Sequence, residues 1–131
     1  MNEVIISNTE DRVVRFGISE VERYRNCCEI EKDPWWNVHV YVKKPGIEFD
    51  SNGESMTEYD LLELSRAIRE AKNRDRRVDE HISFMEPDYS FDIAKRHAIL
   101  HINLKYTDSL NIWLTRENMN DIADYIDAMV K

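Results

Sequence analysis

Two carboxylates flank a proline in Phe84-Met-Glu-Pro-Asp-Tyr-Ser-Phe91, and aromatic residues frame them. That spacing raises general acid/base chemistry first. Such a pair works only when burial or a charged neighbour drives its two pKa values apart, and no Lys, Arg or His lies within three residues of Glu86 or Asp88. Ile82 and Phe84 alternate before the proline, and Tyr89, Phe91 and Ile93 alternate after it. Pro87 cannot donate to a strand ladder, and Asp88 beside it is good turn chemistry. The stretch therefore reads as a turn between two strands, and no catalytic residue is assigned to it.

The other residues able to do chemistry are His39, His81, His97 and His101, with Cys27 and Cys28. A zinc site needs ligands that converge within a few ångström. His97 and His101 share one face of a strand, yet at the rise of extended chain they sit roughly 13 Å apart, too far for one ion. His39 and His101 could meet across strands, but two ligands make a weak site. Solvated or cross-strand histidines are expected, with no metal and no cofactor. Adjacent cysteines on a strand point to opposite faces, so no disulfide framework is expected, and this points to a reducing, cytoplasmic setting. With three glycines in the chain, none of the Gly-rich phosphate or nucleophile loops is present.

The elements that must hold these residues come from a chain of 131 residues, enough for one domain spanning 1–131 with a real core. No apolar run is long enough to span a membrane, and the N-terminus shows no leader pattern. A net charge of −8 argues against a nucleic-acid groove and fits either simple solubility or a basic partner. Short alternating runs give strands at Val4 and Ile6, at Val14, Phe16 and Ile18, and at Tyr24, Asn26, Cys28 and Ile30. Trp36, Val38, Val40 and Val42 form a half-buried strand, which Lys44-Pro45-Gly46 turns into a second at Ile47 and Phe49.

Thr57 caps a helix running to Arg74, with Asp60 placed as in a capping box and Leu61, Leu64, Ile68 and Ala71 on one face. Four more strands are expected at Ile82–Met85, Tyr89–Ala94, Ala98–Tyr106 and Leu110–Leu114, the last two joined by Thr107-Asp108-Ser109. Thr115 then caps a terminal helix with Met119, Ile122, Ile126 and Met129 facing inward. The fold class is α+β: an antiparallel sheet of about six to eight strands with two Thr-capped helices packed on one face.

Val38 to Val42 lines up with Leu100 to Leu104, and Thr57, Leu61, Leu64 and Ile68 line up with Thr115, Met119, Ile122 and Ile126. Such a strand–strand–helix match fits an internal duplication, and it also fits two amphipathic units that share only a binary pattern.

The order of elements also carries a resemblance. The stretch "DPWWNVHVYV" from Asp33 to Val42, then "ISFMEPDYSFDI" from Ile82 to Ile93, the strand "ILHINL" and a closing strand–helix unit together cover residues 33–131. This layout resembles the WapI-type immunity proteins of bacterial polymorphic toxin systems, a family of small cytoplasmic antitoxins. The resemblance implies non-enzymatic neutralisation of a cognate toxin by tight binding. The alternative is a small ligand-binding domain or hydrolase that uses a His- and Trp-bearing sheet face.

Two surfaces are candidates for partner contact. With the valines and leucines facing the helices, the opposite face should show His39, Tyr41, His101, Asn103 and Trp113. An aromatic set in a polar surround is typical of a protein-binding patch, unless the N-terminal strands or a second subunit cover it. On the terminal helix, Glu117, Asp121 and Asp124 share one side, and no Lys or Arg occurs between Glu117 and Val130. That stripe is either solvated surface or a steering patch for a basic toxin that must itself hold phosphates.

Overall fold

The computed structural model describes residues 3–20, 35–51, 54–73, 80–84, 89–103 and 110–130. Outside them lie the strand expected at Tyr24–Ile30, the cysteine pair, Arg74, the turn residues Glu86, Pro87 and Asp88, Leu104, and the turn at Thr107–Ser109.

The first sheet is built on β3 (Trp35–Lys44), whose inward residues Trp36, Val38, Val40 and Val42 are all buried. β2 (Val13–Glu20) runs antiparallel beside it, with Val14 opposite Val42, Phe16 opposite Val40 and Ile18 opposite Val38. Each of these cross-strand pairs sets two large apolar groups side by side on one face. β1 (Glu3–Asn8) adds on the outside of β2. Next to the pairing of Glu3 with Gly17, the hydroxyl of Tyr125 accepts from the Ile18 N–H at 3.0 Å and donates to the Ile18 carbonyl at 3.2 Å. A side chain there satisfies backbone groups on the edge of β2.

On the other edge of β3 lie β4 (Ile47–Asp50) and β5 (Glu54–Thr57). Pro45 and Gly46 make the β3–β4 turn, and Gly46 takes a φ of 80°, which a side chain would resist. Sequence patterning does not find β5. Tyr41 faces Asp50 and Val38 faces Glu54, so three steps along β3 are matched by four on its neighbour. β4 and β5 are thus one strand broken by a one-residue bulge. Ser51 sits at the break, buried, with its hydroxyl accepting from the Val40 N–H at 2.8 Å and its N–H donating to the Val40 carbonyl at 3.0 Å.

The second sheet is a plain antiparallel meander of β6 (Glu80–Ser83), β7 (Tyr89–Ile93), β8 (His97–Ile102) and β9 (Leu110–Thr115). β6 and β7 pair on either side of the proline stretch, as the alternation around it implies. Phe91, Leu100 and Ile112 stand in register across three strands and are buried.

Helix α1 (Glu58–Ala71) follows β5, and α2 (Arg116–Val130) follows β9. Both are capped by the threonines expected. Thr57 Oγ1 accepts from the Asp60 N–H at 3.1 Å, and Thr115 Oγ1 accepts from the Asn118 N–H at 3.1 Å. Asn118 returns the bond, its Oδ1 accepting from the Thr115 N–H at 3.0 Å, which closes a reciprocal box. Each helix touches the other and both sheets, and one apolar cluster draws on all of them. Met129 departs from expectation: it is 37% exposed, while Met119, Ile122 and Ile126 are buried. It lies on the last turn of α2, where the helix runs past the apolar surface that covers its earlier turns. No described helix is long and apolar enough to cross a membrane.

The α+β class and the two capped helices are therefore as patterned, while among the described residues the strands number nine and divide into two sheets rather than forming one. The division exposes an equivalence. Aligning Val38 with Leu100 and Thr57 with Thr115 carries the pair Trp35–Thr57 onto His97–Thr115, Trp36–Met56 onto Ala98–Leu114, and Val38–Glu54 onto Leu100–Ile112. Each half is a four-position meander that ends in a threonine-capped helix. Binary patterning alone does not dictate a shared register, so the likeness of the halves is structural as well as compositional.

Candidate functional site

Side chains alternate across a strand, so each sheet has an outer face that turns away from the helices. The division into two sheets separates the residues that sequence analysis placed together. His39 and Tyr41 lie on the outer face of the first sheet, His101 and Trp113 belong to the second sheet, and Asn103 sits exposed just past the end of β8. Of the N-terminal strands, the described β1 and β2 extend the first sheet rather than lying over the Trp113 face.

The outer face of the first sheet is tied up in its own pairs. The Arg15 guanidinium lies 4.5 Å from the centre of the Tyr41 ring and 3.7 Å from the Glu3 carboxylate. The Tyr41 hydroxyl donates to Glu48, and this bond to the carboxylate pushes the phenol above its ordinary pKa. His39 Nε2 lies 3.5 Å from Ser19 Oγ, beside a cavity of about 520 Å³ that is also lined by Gly17, Trp36 and Met129.

The outer face of the second sheet carries a row that crosses all four strands. His81 on β6 sits directly opposite Asp92 on β7, and His101 on β8 directly opposite Asn111 on β9. His81 Nδ1 lies 2.6 Å from Asp92 Oδ1, and His101 Nε2 lies 2.7 Å from Asp92 Oδ2. The remaining His101 nitrogen, Nδ1, lies 2.6 Å from Asn111 Oδ1. One carboxylate is thus held by two imidazoles. The bonds lower the Asp92 pKa, His81 contributing most. The His101 pKa is raised, chiefly by Asn111 and then by Asp92, against the opposing effect of burial.

One step along the same face, the rings of His97 and Trp113 stack at 4.2 Å and 8°. Trp113 remains 53% exposed, and its carbonyl accepts from Arg12 at 3.1 Å, tying β9 to the β1–β2 loop. A large aromatic surface is thereby presented to solvent with its ring held against His97.

The acidic side of α2 is partly neutralised from a source the helix's own sequence does not contain. Arg69 of α1 bonds Asp124 at 2.9 Å and Asp127 at 2.7 Å. Glu117 and Asp121 stay exposed, with no cation against them among the described residues.

His81, Asp92, His97 and Asn111 are members of the site that sequence analysis did not select for the contact face. Asp92 and Asn111 lie between buried residues, His97 precedes one and His81 alternates with half-buried ones, which marks them as outward, but nothing in the sequence says which strands are neighbours. The expected cross-strand histidines are present, with Asp92 rather than His39 as the shared partner. Among the described residues, no three His, Cys, Asp or Glu side chains converge as metal ligands. No protein-family model matches the chain, and no curated protein or solved structure gives a significant match.

Proposed function

We propose that the chain is an immunity protein that neutralises a cognate bacterial toxin by direct binding, and that the outer face of the second sheet makes the contact. The observation that carries this is Trp113, half exposed and stacked on His97. Exposed aromatics held in one orientation lose little conformational freedom on binding, which is why they anchor protein interfaces. The resemblance to WapI-type immunity proteins supports the same assignment. The partner this reading calls for is a basic toxin, as a nuclease is because it must hold phosphates; Glu117 and Asp121 on α2 would steer it toward the surface.

Catalysis fits the geometry less well. His101 has both ring nitrogens engaged, by Asp92 and Asn111, so neither is open to take a proton from a substrate. The row lies on a sheet face, without the enclosure that strengthens charge stabilisation. The cavity beside His39 and Trp36 is the feature that favours the alternative, a small ligand-binding domain.

The test is capture from the source cell with the wild-type chain and with Trp113→Ala as parallel baits. A basic protein retained by the first and lost by the second supports the proposal. A ligand-dependent rise in thermal stability, abolished by His39→Ala and unaffected by Trp113→Ala, supports the alternative.

A further inference from the structure

The row of side chains across the second sheet has a property independent of any partner. His101 approaches two oxygen acceptors, one through each ring nitrogen. A neutral imidazole has one N–H donor and one bare acceptor nitrogen, whereas the imidazolium has two donors. Two donors are what Asp92 Oδ2 and Asn111 Oδ1 together require. We propose that His101 is a proton switch on this face: protonated, it ties β7, β8 and β9 together through Asp92 and Asn111, and when it loses its proton the Asn111 amide turns over.

The direction of the change follows from the partners. Asp92 cannot donate once ionised, so neutral His101 keeps its proton on Nε2, facing the carboxylate. Nδ1 is then a bare acceptor and repels Asn111 Oδ1. A half-turn of the amide brings the Asn111 NH2 group to Nδ1 and sends Oδ1 outward. The surface offers a donor at Asn111 below the transition and an acceptor above it. The charged and titratable groups around His101 fit this account. From β6 there is His81, which holds the other Asp92 oxygen; from β7 there is Asp92, with Ser90 directly opposite His101; β9 contributes Asn111 and no charged residue. On β8 itself His97 is engaged with Trp113, and Lys95 and Arg96 stand at the β7–β8 turn. Glu80 is turned to Arg66 of α1. Among the described residues Asp92 is thus the carboxylate that acts on His101, and it favours the proton.

The experiment is an NMR pH titration of the full chain that follows the His101 ring and the Asn111 side-chain amide together. The expected result is a His101 midpoint above that of a free imidazole, with the Asn111 amide resonances moving at the same midpoint. Asp92→Asn and Asn111→Leu should each bring the midpoint down, and Asn111→Asp should raise it. A wild-type His101 that titrates as a free imidazole would overturn the proposal. So would Asn111 resonances that stay still while His101 titrates. The wild-type titration decides the matter even if a variant fails to fold.

Discussion

The outer faces of the two sheets are built from similar residues and arrive at different surfaces. On the first, the contacts are short and local: Arg15 lies over Tyr41 and near Glu3, and Tyr41 bonds Glu48. On the second, hydrogen bonds run in one line from His81 through Asp92 and His101 to Asn111, and an aromatic pair stands beside the line with its indole half exposed. The equivalence of the halves makes this contrast informative, because His39 and His101 occupy matching positions in the alignment that superposes the registers. One scaffold supports a self-satisfied surface and an outward-directed one. The difference lies in the neighbours, Ser19 for His39 and Asp92 with Asn111 for His101.

Because the sheets share one apolar cluster, the contrast must stop at the surface. Truncating the core from either side, Phe16→Ala or Phe91→Ala, should cost about 3–5 kcal/mol. Denaturant unfolding should stay a single transition in both variants. Two separate transitions would mean that the halves fold independently.

A smaller effect is expected at the bulge, which the second sheet lacks. Ser51→Ala removes the acceptor of the buried Val40 N–H and should cost about 1–3 kcal/mol, measured by chemical denaturation. By contrast Trp113→Ala should lower stability by less than about 1 kcal/mol, as surface changes do. A loss of several kcal/mol would reassign Trp113 to the core.

Charge reversal probes the acidic helix. Changing Glu117 and Asp121 to Lys together should slow association with a basic toxin by roughly tenfold at low salt, and less as salt rises. An unchanged rate in a folded variant returns these residues to the role of solvated surface.

The smallest effect is on stability against pH. His101, whose pKa is raised on folding, contributes stability that is full below its unfolded pKa and is lost as pH rises through its folded pKa. Asp92, whose pKa is lowered, contributes stability that is present above its unfolded pKa and is lost as pH falls through its folded one. The row therefore helps most between about pH 4 and about pH 6.5, the ordinary values of the two groups. Solvent screening at these partly exposed groups keeps the effect small. Thermal melts of wild type and Asp92→Asn should differ most inside that window; curves that run parallel at all pH values would remove the row from the stability account.

Most of the fold was legible because its signals are local. The alternation from Trp36 to Val42, the Pro45-Gly46 turn and the two capping threonines each depend on residues close in sequence. β5 was not legible, since its four residues follow a bulge that shifts the alternation by one. The division into two sheets was not legible either. It depends on which strand lies beside which, and for that reason His39 and Tyr41 were grouped with Trp113. Of the candidate site, Trp113 and His101 could be read as outward from period-two patterning. Asp92 could not be read as their neighbour, because its bond to His101 depends on the β7–β8 register. Arg69 escaped for the same reason: the cation that neutralises Asp124 comes from another helix.

The most direct test of the binding proposal is the affinity of the captured toxin for Trp113→Ala set beside Tyr41→Ala, both checked for folding. A binding hot spot costs at least about 2 kcal/mol, or roughly thirtyfold in Kd. The account predicts that loss for Trp113→Ala and an unchanged affinity for Tyr41→Ala. Full affinity in Trp113→Ala, or an equal loss in both variants, would contradict it.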